Sequence, residues 1–234
     1  MCGRFVVSYT YDELMHFLGE TFQIFDLDLD INLPRYNIAP GQKVLAVLSD
    51  GEEYRAGTLK WGLVPHWAKD ESIGFRMINA RSETIDTKAS FKEPLRSKRC
   101  VILADGFYEW KREGDKKRPM YIHLEGKKMF LFAGLWSTYR REDGSKLHTT
   151  TIITTKANEL MSDLHDRMPV ILTLDQAKEW LNPATTNTLR LKQLLWQYPS
   201  DKMAYYEVSP IVNSWKNDTP ACVEPVEQAN EVMS

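Results

Sequence analysis

Hydrophobic positions recur with helical spacing in four parts of the chain. Thr10 and Glu13 form the pattern of a capping box directly before an apolar stripe, and Thr173 with Gln176 repeats that pattern later. The predicted helices are the segment after Thr10 and residues 157–164, 174–181 and 188–196.

Runs of β-branched and aromatic residues between Asp-Gly and Gly-Asp turns predict strands. The predicted strands cover residues 43–48, 54–61, 99–111, 120–124, 129–136 and 148–155. Residues 33–42 contain two prolines and a glycine, which predicts an ordered loop. With strands at the centre and helices on the flanks, this pattern favours an α+β fold around a largely antiparallel sheet.

The size and composition of the chain are those of one sizeable globular domain. It has 234 residues and 27.1 kDa, with 43% hydrophobic and 26% charged residues. The longest apolar run, residues 129–136, is far shorter than the roughly 20 residues of a membrane helix, and no secretory signal follows Met1. Three widely spaced cysteines argue against a disulfide framework. We therefore expect a soluble cytoplasmic protein with no membrane partner.

The net charge of −2 conceals a basic central segment. Residues 76–118 contain 12 Lys or Arg against 7 Asp or Glu. Such a segment can form a surface for an anionic ligand, or it can consist of solvated strand ends and loops. The charge permits DNA binding without predicting it.

Cys2 carries the most specific chemistry in the sequence. Removal of Met1 would leave an α-amine with a pKa near ~8 beside a thiol with a pKa near ~8.5. A 1,2-aminothiol condenses with an aldehyde, first to a Schiff base and then to a thiazolidine ring. A cysteine at position two also occurs by chance, so this residue alone does not decide the function.

Two further candidates supply proton-transfer groups. Along the predicted strand, Phe107 and Glu109 share one face, and a carboxylate in such a half-buried place has a raised pKa. The alternative is an edge-strand glutamate paired with a lysine. His165, at the expected end of a helix, is either a general acid or a charge that complements the helix dipole.

Polar and aromatic residues near predicted strand ends and loops complete the candidate set. Asn79 can orient a hydroxyl or carbonyl group, and Arg4 and Arg81 can hold a phosphate. Pro40 and Trp67 lie in predicted loops, where they would stack on bases or pack into the core. The histidines and cysteines lack the spacing of metal ligands, so we predict neither a metal nor a cofactor.

Six motifs occur together and in a fixed order along the chain. They are MCGRF at residues 1–5, RYNIAPG at 35–41, WGLVPHW at 61–67, INARSET at 78–84, ADGFYEW at 104–110 and HDRMP at 165–169. This set resembles the SOS response-associated peptidase (SRAP) family of abasic-site processing proteins. The resemblance extends to about residue 226, so we expect one SRAP domain at 1–226 and a frayed polar tail at 227–234.

The resemblance implies a fold, an activity and a set of residue roles. The fold is a curved, barrel-like and mainly antiparallel β arrangement flanked by helices. The activity is recognition of abasic sites in single-stranded DNA and their covalent capture as a thiazolidine, by a monomer associated with the nucleoid. The implied catalytic residues are Cys2, Glu109, His165 and Asn79, and the implied DNA contacts are Arg4, Pro40, Trp67, Arg81 and Arg167.

Two other classes of function remain open from the sequence. One is an N-terminal nucleophile amidohydrolase or glutamine amidotransferase, whose chains can also begin with Cys-Gly and which needs an oxyanion hole. The other is a non-catalytic reader of modified DNA that stacks bases on Trp67 and Trp110. The peptidase label of the family is compatible with self-release, whereas we see no signature of general proteolysis.

Overall fold

The computed structural model describes residues 2–126 and 128–226. The predicted tail, 227–234, lies outside the described residues, and the boundary at 226 stays a prediction. The helices are α1 (Tyr11–Phe22), α2 (Ala89–Ser97), α3 (Glu159–Ser162), α4 (Leu174–Leu181) and α5 (Thr188–Gln193). The strands are β1 (Phe5–Val7), β2 (Arg35–Ile38), β3 (Lys43–Ser49), β4 (Tyr54–Trp61), β5 (Asn79–Arg81), β6 (Arg99–Ala104), β7 (Gly106–Glu113), β8 (Lys116–Leu124), β9 (Phe130–Arg140), β10 (Lys146–Lys156), β11 (Arg167–Pro169), β12 (Ile171–Leu172) and β13 (Met203–Glu207).

Two sheets organise these strands. One has the order β13–β8–β7–β1–β2 and is antiparallel throughout. In the other, β10, β4, β3, β6 and β9 pair in turn, and β9 pairs again with β10, so these strands close into a small barrel. Strand β10 runs parallel to β4 and β5. The expected α+β fold, barrel-like and mainly antiparallel, is confirmed.

Helices α1 and α4 begin where local capping chemistry predicts. The side chain of Thr10 accepts from the backbone N–H of Glu13, and the Glu13 carboxylate accepts from the N–H of Thr10 at 2.8 Å. Thr173 and Gln176 form the same reciprocal pair ahead of α4, whose bounds agree with the prediction. Capping depends on residues three apart in sequence, which is why the pattern can be recognised without the fold.

Two predicted segments differ from the structure. The expected loop at 33–42 contains strand β2, because this segment pairs with β1 at the edge of the five-stranded sheet. The expected single strand at 99–111 is divided at Asp105, where the chain passes from the barrel to the other sheet. The Asp105 carboxylate accepts from the backbone N–H of Ser8 at 2.9 Å and also binds the Ser8 hydroxyl. This contact fastens the crossing point to the end of β1.

Two helices, α3 and α5, are shorter than predicted. Residues 157–164 form only the single turn of α3, which starts after Asn158 caps Met161 N. Helix α5 ends at Gln193 instead of residue 196. In both places the regular helix ends in a turn, where His165 N donates to Met161 O at 2.9 Å and Leu194 N donates to Leu191 O at 3.2 Å.

A shared apolar cluster joins the barrel to the five-stranded sheet. Phe5 and Phe107 come from the sheet, and the barrel contributes Phe132, whose ring lies edge-on to both at 5.8 and 6.0 Å. All three side chains are fully buried. We call this set the inter-sheet cluster; it also contains Cys2 and Trp61.

Removal of the central ring should strongly destabilise the fold. We expect Phe132→Ala to lower the free energy of unfolding by about 3–5 kcal/mol, because it deletes a buried aromatic and leaves a cavity. Phe25→Ala is the control, since its ring is 79% exposed. Urea denaturation would measure both variants, and equal midpoints would contradict the assignment of Phe132 to the core.

Candidate active site

Cys2 enters the interior just ahead of β1. Its side chain is fully buried in the inter-sheet cluster. The pairing of Phe5 with Phe107, and the 3.0 Å hydrogen bond from Tyr108 N to the carbonyl of Arg4, lay this N-terminal segment along β7. Burial, and then the negative charge of Glu109, raise the pKa of the Cys2 thiol. The thiol is therefore protonated until a base takes its proton.

Glu109 is a buried carboxyl on a central strand. Strand β7 lies between β8 and β1, which excludes the edge-strand alternative, and Glu109 is only 4% exposed. Burial raises the pKa of its carboxyl, while the charge of His165 partly opposes that shift. The raised pKa suits Glu109 to proton exchange closer to neutrality than an ordinary glutamate.

Asn79 presents an unused amide to the same region. Strand β5 aligns Asn79 with Ile152, a member of the inter-sheet cluster, and the preceding Ile78 packs against that cluster. Within the described residues, neither the oxygen nor the nitrogen of the buried Asn79 carboxamide has a hydrogen-bond partner. A buried amide without partners is costly, and the Asn79 carboxamide has an unused donor and an unused acceptor.

His165 reaches the site from the turn between α3 and β11. Its Nδ1 accepts from the backbone N–H of Arg167 at 3.0 Å, which leaves the proton of a neutral ring on Nε2. Asp166 Oδ1 lies 2.7 Å from the same Nδ1 and becomes its partner when the imidazole is protonated. About one-third of the His165 side chain is exposed.

Arg4 and Arg81, at the margin of the site, differ in how far their guanidinium groups are already engaged by the protein. The guanidinium of Arg4 donates to Asn37 Oδ1 and Val212 O, both at 2.8 Å, and its environment is half-buried. Arg81 is exposed, shares a strand face with Asn79, and has no carboxylate within ion-pair distance among the described residues. Its charge helps to lower the pKa of the Glu83 carboxyl two residues further on.

Arg167 occupies a different environment from the one its predicted role requires. It is 7% exposed and forms a two-pronged ion pair with Glu83, at 2.7 and 3.0 Å, and it also donates to Thr154 O at 2.7 Å. A phosphate contact does not fit this arrangement, because the guanidinium is already neutralised and enclosed. Arg167 instead links β11 to β10 and the segment after β5, which holds the turn that carries His165.

The predicted stacking residues Trp67 and Pro40 lie at or near the surface, and a second aromatic side chain lies close to the turn that contains Pro40. Trp67 is 52% exposed, and Pro40 is half-buried in the turn after β2. Phe75 is 67% exposed, and its ring lies so near Gly41 that a Cβ there would be 3.4 Å away. Our sequence reasoning missed Phe75; the signal was an aromatic residue within a mainly polar segment.

Asn37 is a second residue that sequence reasoning missed. It is fully buried, and its Nδ2 donates to the carbonyls of Val212, Ser214 and Asn217 at 2.7–3.1 Å while its Oδ1 accepts from Arg4. Every polar atom of the amide is used. Asn37 therefore fixes a C-terminal loop against the first residues of the chain.

A known protein family matches this chain over most of its length. The family model described as SOS response associated peptidase (SRAP) matches residues 1–215. The chain belongs to the SRAP family. The resemblance drawn from the six motifs is confirmed, and three of these motifs supply Cys2, Glu109 and His165.

Relatives of the SRAP family are similar over most of the chain. Abasic site processing protein YoqW of Bacillus subtilis is 51% identical over 226 residues, covering 96% of this chain and 99% of the relative. Abasic site processing protein YedK of Escherichia coli is 32% identical and covers 97% of this chain and all of that protein. A crystal structure from Bacteroides thetaiotaomicron has a TM-score of 0.84 at 26% identity, covering 96% of this chain and all of that one. No helix in the described part of this SRAP chain is long and apolar enough to cross a membrane.

The raised pKa of Glu109 predicts a pH-dependent stability difference. Above the ordinary glutamate pKa of about 4.3, the unfolded chain releases its proton before the folded one, so wild type loses relative stability as pH rises. Glu109→Gln cannot ionise. We therefore expect the unfolding free energy of Glu109→Gln minus that of wild type to increase from pH 4 to pH 8, measured in urea. A constant difference would contradict the raised pKa.

Proposed function

We propose that this chain traps abasic sites in single-stranded DNA through Cys2, after removal of Met1. The proposal is supported by its curated relatives, which are named abasic site processing proteins, at up to 51% identity. The observation that carries it is the burial of Cys2 beside Glu109, with His165 and the unpartnered Asn79 amide reaching the same region. As an enzyme it acts on damaged DNA, which would bring it to the nucleoid.

The covalent step combines an aldehyde with the aminothiol. The α-amine of Cys2 attacks the aldehyde carbon of the ring-opened sugar, and loss of one water leaves an imine. The sulfur then adds to the same carbon while the nitrogen gains a proton, which closes a thiazolidine. One C–N bond and one C–S bond form, one water leaves, and no oxidant or reductant is needed.

Glu109 is the proton shuttle in this scheme. Its carboxylate accepts the thiol proton as sulfur attacks, which is necessary because burial keeps the Cys2 thiol protonated. In its protonated form, which burial favours, the same carboxyl can supply the proton that the departing water requires.

His165 and Asn79 act on the sugar. An imidazolium form of His165, with its Nδ1 facing Asp166 Oδ1 at 2.7 Å, would donate its Nε2 proton to the ring oxygen as the sugar opens. The reverse transfer would assist reversal of the crosslink. The Asn79 amide supplies a donor and an acceptor for the sugar hydroxyl or the Cys2 backbone, which would satisfy its buried polar atoms.

Single-stranded DNA fits the surface around this site. Arg81, and the exposed part of Arg4, are the proposed phosphate contacts. The proposed stacking surfaces for unpaired bases are Pro40, with Phe75 beside the adjoining Gly41, and the exposed ring of Trp67. We propose that a monomer suffices, because the proposed catalytic residues and DNA contacts all come from one chain.

Loss of Cys2 should abolish the covalent product. We expect Cys2→Ala to form no heat-stable adduct with an oligonucleotide containing one abasic site, while its non-covalent affinity stays within about twofold. Denaturing gels and intact mass spectrometry would measure the adduct and the removal of Met1. Cys222→Ala, which alters another buried thiol, is the control and should crosslink normally.

The alternatives give different results in the same assay. A heat-stable adduct with Cys2→Ala would exclude the aminothiol mechanism. Binding without any adduct, with Met1 confirmed absent, would favour a non-catalytic reader. Hydrolysis of glutamine without DNA would favour an amidohydrolase.

Loss of the proton shuttle should slow the reaction without weakening DNA binding. We expect Glu109→Gln to lower the single-turnover rate of adduct formation by about 10²-fold or more, the usual contribution of general acid–base catalysis. Glu113→Gln, on the same strand but exposed, is the matched control. If both variants react at the wild-type rate, Glu109 is not the shuttle.

A further inference from the structure

A cavity opens at the carboxyl ends of β5 and β10, and its lining includes none of the proposed catalytic residues or DNA contacts. It has a volume of about 300 Å³, within the range of small-ligand sites. Ser82 and Lys156 line one side, and Leu195 and Trp196, which follow α5, line the other. The lining is mostly apolar, with the Trp196 side chain 71% exposed. An indole so exposed beside a cavity offers a stacking surface.

The charges around this cavity leave two cations available. Among the lining groups, Glu83 is neutralised by Arg167, and Lys192 is held 3.0 Å from both carboxylate oxygens of Asp86. Lys156 is exposed and has no ion-pair partner in the described part of the chain. Arg81, on the neighbouring strand, is similarly free. The cavity thus combines an apolar wall with unpaired positive charge at its rim.

The position of the cavity connects it to the candidate active site. Ser82 lies three residues beyond Asn79, or roughly 10 Å along an extended chain. Lys156 pairs with Arg167, two residues after His165. A strand of DNA held at Asn79 and His165 can therefore follow Arg81 and Lys156 around the end of the sheet into the cavity.

We propose that this cavity binds a nucleobase of the same DNA strand, close to the abasic nucleotide, with Trp196 as its stacking partner. A base has the flat apolar faces that Leu195 and Trp196 can cover, and its phosphate matches the charge of Lys156. The inference rests on the proposed function, because it requires single-stranded DNA as the ligand. It adds a base-binding subsite that the trapping chemistry does not need.

The test uses DNA that binds without reacting. Single-stranded oligonucleotides would carry a tetrahydrofuran abasic analogue, which has no aldehyde, and 2-aminopurine at successive flanking positions. With wild type we expect quenching of 2-aminopurine fluorescence at one flanking position. Trp196→Ala should abolish that quenching and weaken binding about tenfold, the typical effect of removing one stacking residue.

Matched variants separate this effect from general damage. Leu189→Ala, in α5 and 75% exposed, should quench and bind like wild type. Trp196→Phe should retain part of the quenching because it keeps an aromatic face. Lys156→Ala should reduce the slope of log affinity against log salt by about 0.7, the value for one lost phosphate contact on a single strand.

The outcomes distinguish the two proposals. If wild type forms the Cys2-dependent adduct but Trp196→Ala shows wild-type quenching and affinity, the base-binding subsite is wrong and the trapping function stands. Quenching lost equally in Leu189→Ala would also overturn the subsite, because it would indicate a general effect on α5. If wild type neither binds the oligonucleotides nor crosslinks abasic DNA, both proposals fail.

Discussion

The pairing of β1 with β7 is the contact on which the site depends. It aligns Phe5 with Phe107 and joins Tyr108 N to Arg4 O, so the first residues of the chain run beside the strand that carries Glu109. The aromatic rings on the shared face are completely buried. Because this pairing is anchored in the core, Cys2 is held in the interior, although N-terminal residues commonly fray.

Burial has the same electrostatic consequence for the Cys2 thiol and the Glu109 carboxyl. It raises the pKa of the Cys2 thiol and of the Glu109 carboxyl, so each favours its neutral form. A buried thiolate and a buried carboxylate side by side would be destabilised by desolvation and mutual repulsion. Neutral forms of both groups avoid that cost, and chemistry that takes the thiol proton only as the new bond forms suits such an interior better than a preformed thiolate.

The sequence predicts those parts of the molecule that depend on near neighbours. The capping boxes at Thr10 and Thr173 define helix starts within three residues, and the aminothiol chemistry of Cys2 belongs to one residue. The parts it did not reveal depend on distant partners. Arg167 is neutralised by Glu83, 84 positions away, and Asn37 binds a loop about 180 positions away. No local periodicity encodes such pairs, so a buried, ion-paired arginine such as Arg167 and an exposed one such as Arg81 look alike in the sequence.

A nucleophile at the start of a chain must be held without using its own amine. Here the anchoring groups belong to other residues: the Arg4 guanidinium binds Asn37, and Asn37 in turn binds the loop from Val212 to Asn217. Asp218 fastens that loop to β2 by accepting from the backbone N–H of Asn37 at 2.9 Å. The last part of the described chain therefore positions the first through the side chains of Arg4, Asn37 and Asp218.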